Sequence, residues 1–156
     1  MKFKFSGVIL VLSTIANLVL LPYSSGASFN GKLNVRIDGL KSQKGQVCLT
    51  VFSTSRGFPD NGKRALSAQC TKIGGTPQTV TFPNLKPGNY AIAVIHDTNG
   101  DGALNRNLIG IPTEGFGFSN NPTIRTGPPK FGESAVLVAG PNTNIQIQLQ
   151  YFLGSL

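Results

Sequence analysis

The spacing of apolar residues constrains the fold of this 156-residue chain more than any other feature. Short runs alternate between apolar and polar residues, which is the period of a strand with one buried face. Residues 89–96 are apolar on both faces, and this pattern predicts a central strand. The other candidate strands are 33–37, 45–52, 68–73, 76–82, 135–139 and 145–151.

Turn residues separate these runs, since the chain holds 19 glycines and 10 prolines. About seven short strands with turns between them predict an all-β fold, an antiparallel β-sandwich, with a small barrel as the alternative. The segment 97–133 shows no period and is rich in glycine and proline. It is too long for an ordinary connection, and loops of this kind are usually functional or disordered.

The N-terminus has the pattern of a secretory signal peptide. A positively charged start precedes an apolar run at 7–21, and small residues occupy Ser25 and Ala27. The run of about 15 residues is shorter than the roughly 20 that cross a bilayer, so an uncleaved anchor is the less favoured alternative. We therefore expect a signal peptide at 1–27 and one exported domain at 28–156, periplasmic or extracellular, with no membrane-spanning segment after cleavage.

The chain is basic, with 14 Lys and Arg against 6 Asp and Glu and a formal charge of +8. Without Lys2 and Lys4 of the signal segment the charge is +6, and the remaining cations are spread along the chain. Because there is no dense basic cluster, we expect no nucleic acid partner. Such a spread is usual for a solvated surface, and it favours weak attraction to anionic envelope polymers or lipid headgroups.

Cys48 and Cys70 are the only cysteines. An even number in an exported chain predicts a disulfide, whereas two separate buried thiols are the alternative. C-x-x-C spacing is absent, so a redox enzyme is not indicated. One histidine and two cysteines also exclude the common His/Cys zinc sites within one chain.

An oxygen-rich string follows the central strand directly. Oxygen-bearing side chains at alternate positions, with a glycine at the bend, are typical of a calcium loop. The expected ligands are the side chains of Asp97, Asn99 and Asp101, the carbonyl of Ala103, and Asn105 directly or through water. The alternative is a turn whose side chains hydrogen-bond to its own backbone.

The string departs from an EF-hand where its bidentate glutamate would be, because that position is Leu108. A further carboxylate has to come from elsewhere, and Glu114 is the nearest candidate, with Asp60 more distant. An extracellular type of affinity, in the millimolar to sub-millimolar range, is expected for such a site.

Three further residues are candidates for anchoring the loop or for forming a ligand-binding lip. His96, the only histidine, ends the central strand, and Phe116 and Phe118 alternate with Gly115 and Gly117. His96 packing at the strand end is the favoured interpretation. The alternative is a hydrolase in which it works with Asp97, Asp101 or Glu114.

A serine hydrolase would need a nucleophile beside His96. Ser119 and Ser134 are near in sequence, but no nucleophile elbow is present.

Three motifs together resemble the bacterial domain-of-unknown-function 2141 family. They are the runs Phe82 to Ala91, His96 to Gly102 and Gly110 to Asn121, and Gly127 to Phe131 fits the next segment. The resemblance covers about residues 31–152 and implies an exported single-domain β-sandwich of transthyretin-like (prealbumin) or carboxypeptidase-regulatory-like kind. It implies no activity. Its oxygen-rich loop matches at Asp97, Asn99, Asp101 and Asn105, although the last position is often Asp in similar sequences.

These observations favour an exported, non-enzymatic binding or structural module of the cell envelope with a calcium-stabilised loop. The expected partner is an envelope polysaccharide or an envelope protein. A hydrolase using His96 is one alternative. A carrier of a small ligand, as in transthyretin, is another, and it requires a sizeable apolar pocket.

Overall fold

The computed structural model describes residues 30–125 and 127–152. The signal peptide expected at 1–27 therefore lies outside the described residues. The strands are β1 (Gly31–Asp38), β2 (Gln46–Phe52), β3 (Ser67–Lys72), β4 (Gln78–Leu85), β5 (Gly88–Asp97), β6 (Gly115–Phe118), β7 (Ala135–Val138) and β8 (Asn142–Gln148). Two short helical turns are a 3-10 turn (Gly62–Arg64) and α1 (Phe131–Ser134). Within the described ranges no helix has the length and apolar character to cross a membrane.

The strands form two sheets that face each other. Sheet I has the order β4-β1-β8, in which β1 is antiparallel to β4 and parallel to β8. Sheet II has the order β3-β2-β5-β6. Strands β7 and β6 share one edge of β5, where β7 pairs with the first half of β5 and β6 pairs with the second half. All pairs of sheet II are antiparallel.

The core lies between the two sheets and consists of every second residue of each long strand. In β1, Leu33, Val35 and Ile37 are fully buried while Lys32 and Arg36 are exposed. Partners from the other strands include Val47, Leu49, Val51, Val80, Phe82, Tyr90, Ile92, Val94, Val138 and Ile147. The all-β sandwich and the central position of β5 are therefore confirmed.

The disulfide joins two neighbouring strands of sheet II. Cys48 of β2 and Cys70 of β3 face each other in the antiparallel register and are bonded. The bond closes a loop of 22 residues and fixes the edge strand β3 to the sheet. By the chain-entropy argument, closing a loop of this length stabilises the fold by about 3 kcal/mol.

The described residues form eight strands, whereas the sequence predicts about seven. The additional strand is β6, which lies inside the segment expected to be one long loop, residues 97–133. Its sequence Gly-Phe-Gly-Phe has no aliphatic alternation, which is why the pattern did not predict a strand. Its glycines face the other layer, because a Cβ on Gly115 would overlap the ring of Tyr151. Phe116 and Phe118 consequently lie on the outer face of sheet II.

The chain segment after β8 joins the two sheets at this edge. Phe116 and Gln150 exchange two backbone hydrogen bonds, with N–O distances of 3.0 and 2.7 Å. The tail therefore lies directly against the glycine face of β6. This close approach explains why residues without a side chain are needed in β6.

We predict that Gly117→Ala lowers the free energy of unfolding by about 1–3 kcal/mol, because overpacking a filled core costs this much. A Cβ at this position would lie 2.8 Å from Ile147 Cγ2 and 3.0 Å from the carbonyl oxygen of Gln148. Gly132→Ala is the matched control, since a Cβ there meets nothing within 4 Å. Urea denaturation of both variants checks this, and equal stability of the two would contradict the proposed contact.

Candidate functional site

Asp97, the last residue of β5, is fully buried and organises the loop that follows it, residues 97–105, here called the Asp97 loop. Its Oδ1 accepts hydrogen bonds from the N–H groups of Gly100 (2.7 Å) and Asp101 (3.2 Å). Its Oδ2 accepts from the N–H of Gly102 and from Nε2 of Gln46, both at 2.8 Å. Four donors fill the lone-pair sites of one carboxylate.

The two glycines of the loop permit this wrapping. Gly100 and Gly102 have φ angles of 80° and 77°, a region that other residues rarely adopt. The backbone can therefore turn its N–H groups inward toward the carboxylate of Asp97. The loop is a concave nest of N–H groups around a negative charge.

These hydrogen bonds determine the pKa of Asp97. Burial alone would raise the pKa, since it disfavours the charged form. The donors from Gln46, Gly102, Gly100 and Asp101 outweigh burial and hold the pKa below its ordinary value of 3.8. The carboxylate is therefore ionised at neutral pH and serves as the anchor of the loop.

A second cluster joins Asn99, Asp101 and Asn105 at the exposed side of the loop. The amide groups of Asn99 and Asn105 both donate to Oδ2 of Asp101, at 3.0 Å each. The N–H of Ala103 donates to Oδ1 of Asp101 at 2.8 Å. The Asn105 amide is the main cause that lowers the pKa of Asp101, and Ala103 and Asn99 add to it.

Glu114 closes the loop from its far end. Its buried carboxylate accepts from the N–H (2.8 Å) and hydroxyl (3.0 Å) of Thr98 through Oε1. Its Oε2 accepts from the N–H of Asn105 at 3.1 Å. Glu114 thus ties together the two ends of the Asp97 loop.

One observation bears on a cation at this loop. Oδ1 of Asn105 is buried and has no hydrogen-bond partner, while its own amide nitrogen lies against Asp101. Rotating the amides of Asn99 and Asn105 would direct two neutral oxygens toward the same carboxylate oxygen, which is a donor set that suits Ca²⁺. Asp97 has no free lone pair for it. Over the described ranges, no three His, Cys, Asp or Glu side chains gather as a metal centre.

Ala103 enters the network through its N–H, and Asp60 lies elsewhere, on the wall of a groove described below. The structure thus brings together Asp97, Asn99, Asp101, Asn105 and Glu114. The contacts it provides are those of a turn that satisfies its own backbone, together with one oxygen cluster.

His96 is buried at the end of β5 and contacts two other segments. One ring nitrogen, Nε2, lies 2.9 Å from the carbonyl oxygen of Lys44, which can only accept, so Nε2 carries the proton. Nδ1 then accepts from the hydroxyl of Tyr151 at 2.7 Å. Burial raises the pKa of Tyr151 although the N–H of Lys41 donates to its oxygen. His96 therefore links β5 to the β1–β2 connection and to the tail.

The serines considered as nucleophiles are remote from His96. Ser119 accepts the N–H of Ile92 at 2.9 Å and donates to the carbonyl of Ser134. Ile92 is four residues from His96 along β5, roughly 13 Å at the rise of a strand. Within the described part of the chain, the hydrogen bonds of the His96 ring include no serine, threonine or cysteine.

A groove of about 840 Å³ lies on the outer face of sheet II. Its floor is made by outward residues of three adjacent strands, and these are Cys48, Thr50, Ala93, Ile95, Phe116 and Phe118. Its walls come from connecting loops and from the tail, and these residues are Pro59, Asp60, Gly102, Ala103, Leu104, Arg106, Ile109, Gly110, Ile111, Pro112, Ile124, Arg125, Gly127, Pro128 and Phe152. Apolar residues dominate, and the charged side chains of the lining are Asp60, Arg106 and Arg125.

Aromatic side chains attach the connecting loops to this face. Phe58 packs edge-on against Phe52, Phe118 and Phe131, with ring centroids 5.4, 6.0 and 6.1 Å apart. Phe116 packs on Phe118 at 5.9 Å. Phe116 and Phe118 are 5% and 8% exposed, so they form the floor of the groove and an anchor for the loops.

The groove was not predicted from the sequence, although a signal for it exists. Apolar residues recur without period in the polar segment that follows β5, and these are Leu104, Leu108, Ile109, Ile111 and Ile124. A loop that carries so many aliphatic residues needs an apolar surface against which some of them can pack.

Together, the fold and the site define a small disulfide-linked β-sandwich with an ordered loop system over one sheet. The chain belongs to the family described as an uncharacterized protein conserved in bacteria (DUF2141), which matches residues 35–146. No curated protein and no solved structure matches the chain.

We predict that Asp97→Asn lowers the free energy of unfolding by about 3 kcal/mol at neutral pH, because buried backbone donors lose a charged acceptor. Since the pKa of Asp97 is lowered by folding, its stabilisation is fully present above the ordinary value of 3.8. It is lost as the pH falls through the lower value of the folded state. The difference between wild type and variant should therefore narrow in acid.

Urea denaturation at several pH values checks this prediction. Asp60→Asn is the matched control, because Asp60 is exposed and should change stability little at any pH. A constant difference between wild type and Asp97→Asn from neutral pH to below pH 3.8 would contradict the assigned role of the carboxylate.

Proposed function

We propose that this protein is an exported, non-enzymatic binding module that holds a small, largely apolar ligand in the groove on sheet II. The single observation that carries the proposal is the groove itself, about 840 Å³ and bordered by loops. Ligand sites are typically clefts of this size, mainly apolar, with a few polar groups that orient the ligand. This favours the small-ligand carrier, the transthyretin-like alternative, over a purely structural module.

The charges at the groove indicate an acidic group on the ligand. Arg106 and Arg125 line the groove together with one acid, Asp60. A guanidinium group presents a planar fork of donors that matches a carboxylate or phosphate. An elongated apolar molecule with one anionic end therefore fits the lining.

The same lining is less suited to the polysaccharide partner expected from location. Sugars are bound through many hydrogen bonds, whereas the groove floor offers one hydroxyl, that of Thr50, among aliphatic and aromatic groups. A hydrolase centred on His96 is also less favoured, because both ring nitrogens already have structural partners. The size and the lining of the groove support transport or storage of an amphiphile more than either alternative.

We predict that the anionic fluorophore anilinonaphthalene sulfonate binds saturably to one site. Ala93→Phe places a ring on the groove floor and should weaken binding by about tenfold or more. The ring displaces the probe, which then loses apolar contact area equivalent to about one side chain. Ala139→Phe places the same ring at an exposed position outside the groove and is the control. Fluorescence titration checks both.

Two results would contradict the proposal. One is equal affinity of the probe for Ala93→Phe and Ala139→Phe. The other is a titration that never saturates, which would indicate nonspecific adsorption. Native mass spectrometry of the protein purified without detergent then tests whether a cellular amphiphile is retained.

The oxygen cluster at Asn99, Asp101 and Asn105 supports a second proposal, that Ca²⁺ stabilises the Asp97 loop. When bound, the ion would pair with Asn105 Oδ1, the oxygen of this cluster that has no hydrogen-bond partner, after its amide rotates toward Asp101. One carboxylate and two amides form a weak donor set, so affinity in the millimolar range is expected.

We predict that millimolar Ca²⁺ raises the Tm of the protein, that Mg²⁺ at the same concentration does so less, and that Asp101→Asn abolishes the calcium effect. Mg²⁺ demands a stricter octahedral geometry and gives up its water reluctantly. Asp60→Asn is the control and should keep the full response. If Ca²⁺ leaves the Tm of the wild-type protein unchanged, the calcium proposal is contradicted. The hydrogen-bonded turn is then the complete account of this loop.

A further inference from the structure

A rigid finger projects from the loop system at residues 105–113. Its two arms are joined by backbone hydrogen bonds, from Thr113 N–H to the Asn105 carbonyl and from Asn107 N–H to the Ile111 carbonyl, both 2.9 Å. Arg106 and Pro112 face each other as an antiparallel bridge. The base of the finger is held by Glu114, which binds the N–H of Asn105.

The tip of the finger is equally well fixed. Oδ1 of Asn107 accepts from the N–H groups of Ile109 (3.1 Å) and Ile111 (2.9 Å). The carbonyl of Gly110 accepts from Nη1 of Arg106 at 3.0 Å. The tip is thus an ordered turn whose backbone polar groups are largely satisfied within the finger.

This ordered turn exposes large aliphatic side chains to solvent. Leu108 is fully exposed, and Ile109 is 78% exposed. Among the residues that the structure describes, the other exposed aliphatic side chains with comparable values are Leu66, directly before β3, and Leu137, on β7, and each is single. Keeping two adjacent large aliphatic groups exposed on a rigid support is unfavourable in water, and such patches mark interaction sites.

The charge of the described surface indicates the partner. The six acids of the chain all lie in the described ranges, and Asp97, Asp101, Glu114 and Glu133 accept hydrogen bonds from backbone N–H groups. Within those ranges the single salt bridge joins Arg36 to Asp38. The finger itself contains no acid and carries Arg106. Most cations are therefore uncompensated, which favours an anionic partner.

The size of the exposed patch formed by Leu108 and Ile109 indicates which kind of anionic partner fits. A stable interface between proteins, including two copies of this chain, needs roughly 800 Å² on each side, which two side chains do not provide. A bilayer requires no complementary shape, because aliphatic side chains enter its interface while cations bind the headgroups. We propose that the finger inserts Leu108 and Ile109 into the surface of an anionic phospholipid membrane.

This proposal is independent of whether the groove is occupied, although the two features adjoin, since Ile109 and Ile111 also line the groove. The wild-type chain contains no tryptophan, so one substitution introduces a unique fluorophore. We expect the emission of Leu108→Trp to shift to the blue with vesicles of phosphatidylglycerol and phosphatidylcholine. Brominated acyl chains should quench it. Leu137→Trp is the control, exposed on β7, and should show neither effect.

A second measurement uses flotation of the protein with the same vesicles. Replacing both Leu108 and Ile109 by serine should reduce the partition coefficient by about tenfold or more, because two buried aliphatic groups are lost. Leu66→Ser and Leu137→Ser should keep the wild-type value. Phosphatidylcholine vesicles and high salt should each weaken binding, since salt screens the attraction between arginine and the headgroups.

The alternatives give distinct results. No spectral shift of Leu108→Trp, or equal flotation of the double serine variant, overturns the proposal. Sedimentation that shows a dimer dependent on Leu108 and Ile109 without vesicles would assign the tip to a second copy of the chain. Because the double variant changes only exposed side chains, its circular dichroism should equal that of the wild type, so a loss of binding is attributable to the tip.

Discussion

The loop system over sheet II depends on the hydrogen bonds that the buried carboxylate of Asp97 accepts. A buried charge is costly unless hydrogen bonds replace its hydration, and here three N–H groups of the following turn and the amide of Gln46 do so. The charge also removes the need for a regular element after β5, because it satisfies the backbone that leaves the sheet. Glu114 repeats the arrangement at the other end of the turn.

Strand β6 connects this loop system to the core through its two faces. On one face, Gly115 and Gly117 let the tail with Tyr151 approach the strand closely. On the other, Phe116 and Phe118 supply the floor of the groove and contact the aromatic residues of the connecting loops. The alternation of glycine and phenylalanine thus allows close packing on one face of this short strand and forms the groove floor on the other.

Period-two alternation was sufficient to predict β1, β2 and the second half of β8, because one buried face forces that pattern. Strand β5 was predicted instead from apolar residues on both of its faces. The Cys48–Cys70 pair was predicted from the expected export and the even number of cysteines, and the disulfide is present. Strand β6 and the groove were not predictable in this way, since the reason for Gly115 lies at Tyr151, far along the chain. The structure brings the side chains of the Asp97 loop together, but the same oxygen spacing suits a cation and a backbone nest. The donors around Asp97 are those of a nest, and the sequence does not reveal them.

Rigidity of the loop system is a requirement of the groove. The finger and its neighbours carry aliphatic side chains, and a flexible loop would bury them by collapsing onto the apolar outer face of sheet II. Such a collapse would fill the groove and withdraw Leu108 from the surface. Hydrogen bonds to Asp97, Glu114 and Asn107 oppose it by fixing the backbone at the base and at the tip of the finger. For the ligand proposed above, a preorganised open site would lose less entropy on binding, and this is the role that the proposal gives to Asp97 and Glu114.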